Sequence, residues 1–339
     1  MKQTLIERMK KYSEFISVSS NERGLLENVR AELLPYVNDE KDIYFDPMGN
    51  LIAVLGKGSG DRVMFSAHSD TIGFIAHYID DKGFVRVTPL GGLHPQCLSS
   101  RKVRFANGVV GLMSFEGSEY KMNKAYVDIG AANKEEAEKL LPLGTVGTYE
   151  ADVYEMAGDK IVSPFMDDRI AVAIQTEAFI RIAKARRRIP NELYFVFSVQ
   201  EELGLRGSKT AAFGIEPKYG IALDVTCTGD TPECDPPMTM KLGGGACIKI
   251  MDRSVVCNKQ MTDFILDTAE RENIPHQIEI LPFGGTDTAS IQMAAGGAYA
   301  GAISIPTRYI HTPTETVCAS DCEACVDLLC ALIYEGFSF

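Results

Sequence analysis

The residues most able to do chemistry sit where greasy segments stop. "NELYFVFSVQEELGLRGSK" runs apolar from Leu193 to Val199 and then places two carboxylates side by side, Glu201 and Glu202. His68 and Asp70 follow "RVMFSA" in the same way, and Asp224 lies at the end of "GIALDVT". Asp167 and Asp168 stand in "SPFMDDRIAVA", just before a helical pattern, and His311 lies in "RYIHTPTE", a Pro-flanked loop after "AGAISIP". Taken singly, each has a plain explanation. A pair of glutamates is a solvated face, "DDR" is a helix cap, and an H-x-D is a loop contact. Taken together, they are imidazoles and carboxylates at the ends of apolar strands, where α/β sheets build their sites.

Imidazole and carboxylate suit Zn²⁺, Co²⁺ or Mn²⁺. There are more carboxylates than a single cation requires. Two cations need a bridging carboxylate and further ligands on each side. His68, Asp167, Glu202, Asp224 and His311 supply that set. Glu201 is left over, and hydrolysis needs a general base beside the activated water. Asp70, two residues past His68, is placed to accept the imidazole's other N–H and fix its tautomer. Two adjacent glutamates then make sense. Neighbouring strand residues point to opposite faces, but a turn at the strand end lets one ligate while the other faces water. Bound cations also remove the electrostatic objection to packing the carboxylates together.

The elements that must position these groups read as α/β. "MKQTLIERMKKYSEF" carries Leu5, Met9, Tyr12 and Ile16 at helical spacing, and "ERGLLENVRAELLPYV" is a second helical segment. "DIYFDPMGNLIAVLGKGSGDRVMFSAHSD" reads as two strands separated by Gly-rich turns. From Thr71 to Ile161 the texture changes to short alternating segments broken by Gly, Asp and Asn, with only "NKEEAEKLL" helical. That is a small all-β module, a barrel or sandwich. After Ser163, long helices alternate with apolar strands. The expected architecture is an α/β/α catalytic domain with a mixed sheet, built from residues 1–70 and 162–339 and interrupted by a β domain over 71–161.

Composition narrows the partners. The chain has 339 residues and a formal net charge of −12. No Lys/Arg cluster is large enough for a phosphate backbone, so nucleic acid is not expected. "KARRRIP" reads as a helix C-terminus, where cations oppose the helix dipole. No stretch approaches the roughly 20 apolar residues of a membrane span, and the N-terminus lacks the apolar core of a signal peptide. A cytoplasmic location is expected. The nine cysteines read as reduced, mostly buried thiols. "CASDCEAC" has the C-x3-C-x2-C spacing that holds iron–sulfur clusters in radical enzymes. Here "SDCEACVDLLCALIYEGF" reads instead as a capped helix, with Cys322, Cys325, Leu329 and Ile333 on its apolar face.

With these residues in place, the whole chain resembles the dinuclear-metal aminopeptidases of the glutamyl, deblocking and tetrahedral type. The resemblance rests on "AHSDTIGFI", "SPFMDDRIAVA", "VQEELGLRGS", "ALDVT", "GGTDTASIQ" and "RYIHTPTE". It implies Asp167 as the bridging ligand, His68 and Asp224 on one cation, Glu202 and His311 on the other, and Glu201 as the base. It implies two divalent ions per subunit, zinc or cobalt, and peptides as substrates. It also implies a homo-oligomer assembled through the β domain, commonly a dodecamer. The chain departs from the family at Thr288 and Ser290 beside Asp287, and at Cys97, Ser99 and Ser100 in the insert.

Two other hydrolases share parts of this pattern. A dinuclear deacylase or carboxypeptidase of the dipeptidase type inserts its extra domain after the glutamate pair, whereas here the β texture comes before it. A glycosidase needs two carboxyls roughly 5–10 Å apart across its substrate. It would leave the histidines unexplained, and the chain has no Trp to stack on sugars. A non-catalytic protein of the same fold would be expected to have lost Glu201 or a ligand. Arg169, Arg206, Lys209 and Arg308 lie near the motifs, and any of them reaching the pocket would favour acidic N-terminal residues. His77, His94 and His276 read as structural.

Overall fold

A computed structural model describes all residues except Ala151, Glu233 and Asp235. Its frame is an eleven-stranded mixed sheet. At the centre, Glu192–Ser198, Tyr219–Cys227 and Tyr299–Arg308 run parallel with Arg62–His68 between the first two. Leu51–Leu55 and Glu315–Cys318 flank them antiparallel. The central strands are buried on both faces, as near-continuous apolar runs such as "VMFSA" require. Within Arg62–His68, Val63, Phe65 and Ala67 join the core on one face, under helices Lys2–Ser13, Arg23–Leu33, Met166–Ala185, Lys259–Arg271 and Ala319–Glu335. Met64 points to the other face, where Ala211 and Ile291 of helices Arg206–Ile215 and Thr288–Gln292 cover it. That alternation makes the α/β/α sandwich.

Six strands between Gly73 and Tyr149 close into an antiparallel barrel with its own core around Phe74, Phe105 and Met113. The expected small helix is present at Lys134–Leu140, with the Asn133 side chain accepting from the Glu136 amide. Strands Tyr154–Met156 and Lys160–Ser163 differ from the β-module reading of 71–161. They pair with each other and then with Glu315–Cys318, so they belong to the large sheet. A hairpin pattern is local, but which sheet receives it depends on a partner far along the chain. The segment before Arg62 also holds a further short strand, Ile43–Phe45, paired with Leu51–Leu55 across the tight turn at Gly49.

The C-terminal helix carries Cys322 and Cys325 into the core, beside Leu329 and Ile333. Its expected cap is not its own. No side chain at its start caps it; instead Asp159 accepts from the amides of Ala319 and Ser320. Asp321 turns away and accepts from the amides of Gly243 and Gly245. Among the described residues, no helix is long and apolar enough to cross a membrane.

Candidate metal centre

The parallel strands deliver their polar residues to one edge of the sheet. His68 ends its strand, Asp224 lies near the end of Tyr219–Cys227, and His311 follows Tyr299–Arg308. Glu201 and Glu202 follow Glu192–Ser198 through a turn in which Gln200 is left-handed, at φ +55°. Asp167 lies in the first turn of helix Met166–Ala185, where the backbone at Asp167 and Asp168 is not yet helical.

These groups converge. Single ligand atoms of His68, Asp167 and Asp224 lie within 4.8 Å of one another, and so do those of Asp167, Glu202 and His311. Asp167 belongs to both groups. His68 Nε2 is 2.9 Å from Asp167 Oδ1 and 3.8 Å from Asp224 Oδ1. His311 Nε2 is 3.2 Å from Asp167 Oδ2 and 3.3 Å from Glu202 Oε1. Glu201 Oε2 stands 3.9 Å from His68 Nε2.

Two observations test whether such a cluster suits cations. Among the described residues, Asp167 Oδ1 and Glu202 Oε1 are buried without a hydrogen-bond partner, although buried polar atoms rarely stay unpaired. Carboxylates also outnumber the imidazoles, and the opposing pull of His68 on Glu201 and Asp224 does not offset burial and their mutual repulsion. Burial, then the carboxylates of Asp224 and Glu202, push the Glu201 carboxyl well above its usual range. Burial and Asp167 do the same to Asp224. Divalent cations would satisfy both the lone pairs and the charge. The donor set of two imidazoles and carboxylates fits them.

A second layer fixes the groups, and most of it was silent in the sequence. Glu315 is fully buried, and its two oxygens accept from the backbone amides of Asp167 (2.9 Å) and His311 (2.6 Å). One carboxylate therefore ties the two halves of the site together. Burial, reinforced by Asp167, raises its pKa to about 8. Asp168 accepts from the His68 amide. His68 Nδ1 has its nearest acceptor in the backbone carbonyl of Asp70, at 3.0 Å, with the Asp70 carboxylate at 3.5 Å. That carboxylate accepts from the amides of Glu201 and Glu202 and from the Ser19 hydroxyl. Asp70 thus shapes the turn that carries both glutamates.

The barrel reaches this centre through "GGLH". The Gly92 carbonyl lies 3.0 Å from His311 Nδ1. A Cβ on Gly92 would come within 2.8 Å of that nitrogen, and one on Gly91 within 3.0 Å of Glu202 Oε2. Paired glycines in an insert are the signal that could have pointed to this approach. His94, read as structural, lines the cavity beside the centre, its ring 6.3 Å from that of His311.

The four basic residues near the motifs do not line that cavity. Arg169 is buried, donating to the carbonyls of Tyr12 and Phe15. Arg308 pairs with Asp230 at 2.7 Å. Arg206 and Lys209 are exposed on helix Arg206–Ile215.

Residues 49–328 match the model of the M42 glutamyl aminopeptidase family. A protein of Acetivibrio thermocellus provisionally named an aminopeptidase is 44% identical over 96% of this chain and 97% of its own. The lysyl aminopeptidase of Pyrococcus furiosus is 34% identical, over 97% of this chain and 96% of its own. The TET1 peptidase of Pyrococcus horikoshii, which can assemble into a tetrahedron or a large octahedral shell, superposes with a TM-score of 0.86. It is 29% identical, with 97% of this chain and 99% of that one covered.

Proposed function

Since the chain belongs to the M42 glutamyl aminopeptidase family and is a metal-dependent peptide hydrolase, we propose that it removes N-terminal residues from peptides at a dinuclear centre held by His68, Asp167, Glu202, Asp224 and His311. The observation that carries this reading is the carboxylate of Asp167, which stands between two imidazoles and is shared by both ligand groups. Asp167 would be shared between two cations, with His68 and Asp224 holding one and Glu202 and His311 the other. Zinc and cobalt both suit these donors.

Two divalent cations held there would supply Lewis acidity to the scissile carbonyl and to water near neutral pH. Glu201 takes the proton from the attacking water and delivers it to the leaving amine. Asp70 holds the Glu201–Glu202 turn so that one carboxylate ligates while its neighbour faces the water. Glu315 keeps Asp167 and His311 in register. The barrel contributes Gly92 and His94 to the rim and carries assembly into a homo-oligomer, a tetrahedral dodecamer like that of the TET neighbours.

The test is hydrolysis of aminoacyl p-nitroanilides by the metal-loaded protein, with a chelator control and with Glu201→Gln. Cleavage of free-amine substrates that is lost with the chelator, and lost in Glu201→Gln while bound metal persists, is the expected result. A metal-loaded protein that cleaves none of them would send the search to N-acyl amino acids and C-terminal cleavage. Light scattering on the eluted protein gives the subunit number.

A further inference from the structure

The cavity beside the centre holds about 600 Å³, within the range of sites that enclose a small ligand. The charged cluster shares the lining with the apolar side chains Leu205, Val225, Leu281, Phe283 and Ile310, and with Thr226, Ser254 and Thr286. A peptide whose amine and first carbonyl face the charged cluster projects its first side chain into the rest of this cavity.

Lys249 is the one Lys or Arg among the lining residues described. Its charge is already engaged. The side chain has no exposed surface, and its Nζ lies 2.5 Å from Glu279 Oε1 and 3.2 Å from Asp252 Oδ2, both equally buried. Thr226 adds its hydroxyl to the same Glu279 oxygen, and Glu279 Oε2 has no hydrogen-bond partner. One cation thus faces two carboxylates, and the triad leans negative. An incoming carboxylate would meet no free positive charge and would lose its hydration against the apolar lining, which is costly. An incoming ammonium would also lose its hydration against the apolar lining, and it would have to share carboxylates that Lys249 already occupies.

We infer that the pocket beside the metal centre selects peptides with an apolar N-terminal side chain, leucine- or methionine-like, because Asp252 and Glu279 occupy the Lys249 ammonium and leave the apolar lining to discriminate. This rests on the aminopeptidase reading above. The apolar lining discriminates by size as well, since each methylene that fits such a pocket is worth about 10- to 200-fold.

The experiment compares kcat/KM for leucyl, methionyl, alanyl, glutamyl, aspartyl and lysyl p-nitroanilides on the metal-loaded wild-type protein. Leucyl and methionyl substrates are expected at least tenfold above the three charged ones, and above alanyl. Glutamyl or lysyl preference overturns the inference and leaves the aminopeptidase reading standing. No cleavage of any of the six removes that reading, and the inference with it. Glu279→Gln, which takes one negative charge from the triad and keeps the shape, is expected to narrow the leucyl-to-glutamyl ratio at least threefold. An unchanged ratio in a folded variant shows that the carboxylates are not what excludes acidic residues. Binding gives a second readout: L-leucine should raise the melting temperature of metal-loaded Glu201→Gln, and L-glutamate should not.

Discussion

Two buried carboxylates, Asp167 and Asp287, are treated in opposite ways. Asp287 has both oxygens supplied by hydroxyls. Oδ2 accepts from Ser66 (2.7 Å) and Ser198 (2.6 Å), and Oδ1 accepts from Ser208 (2.5 Å). Asp167 is also buried, yet its Oδ1 has no hydrogen-bond partner and its near neighbours are imidazoles. The fold therefore supplies donors to one buried carboxylate and withholds them from the Oδ1 of the other, as the proposed metal ligation requires. A buried anion that keeps its charge must be paired one way or the other. The contrast separates framework from centre without reference to any relative.

The sharpest way to break that contrast is to exchange the charge for an amide at each position. Asp167→Asn should abolish metal binding by both ligand groups. With it should go the activity, including the several kcal/mol that cations contribute to the transition state; metal content measured after dialysis checks it. Glu201→Gln comes next. It should leave metal content near wild type and lower kcat by about 10²- to 10⁴-fold, the range for a lost general base. Asp70→Asn and Glu315→Gln disturb groups that hold the ligands rather than the ligands themselves. Each should cost about 10- to 100-fold in metal affinity or activity. A Glu315→Gln protein with wild-type metal affinity and kcat/KM would remove Glu315 from the site's support. On the stability side, saturating cation should raise the melting temperature of the wild type. Mass action gives about 2.7 kcal/mol at 100 times Kd. Asp167→Asn should lose that increment and Asp287→Asn should keep it.

What the sequence allowed one to see follows the same division. That His68, Asp167, Glu202, Asp224 and His311 come together could be expected from the sequence, because each lies at or just beyond the end of an apolar segment or at the start of a helix. The sandwich was legible from continuous apolar strands alternating with helices, and the barrel from short alternating segments. Glu315 was not, because "HTPTE" gives no hint that its carboxylate spans the nearby His311 amide and that of Asp167, 148 residues away. Lys249 was not either: "ACIKIM" reads as a strand, and only folding shows Asp252 and Glu279 closing on its ammonium. The strands Tyr154–Met156 and Lys160–Ser163 were misplaced for a related reason. Periodicity identifies a strand, whereas sheet membership is settled by a partner at Glu315–Cys318. In each case the missing information was a long-range contact, which residue type and spacing do not encode.

The smallest effects should come from the framework carboxylate's outer partners. Ser290, one of the two positions beside Asp287 where the chain departs from the small residues usual in the resembled family, places its hydroxyl 2.6 Å from Ser208 Oγ and donates to the Asp287 carbonyl at 2.8 Å. It touches the carboxylate only through Ser208. Ser290→Ala therefore removes one hydroxyl from a network whose charged member keeps all three of its direct donors. The expected cost is about 0.5–1.5 kcal/mol, that of one ordinary intramolecular hydrogen bond, with kcat/KM and metal content unchanged. Ser208→Ala removes a donor to the charge itself and should cost more, about 1.5–3 kcal/mol, as bonds to charged groups do. Denaturant unfolding of the two variants checks the ranking. If Ser290→Ala instead lowered kcat/KM as Asp70→Asn does, Asp287 and its hydroxyls would belong to the catalytic apparatus, and the separation of framework from centre would fail at that point.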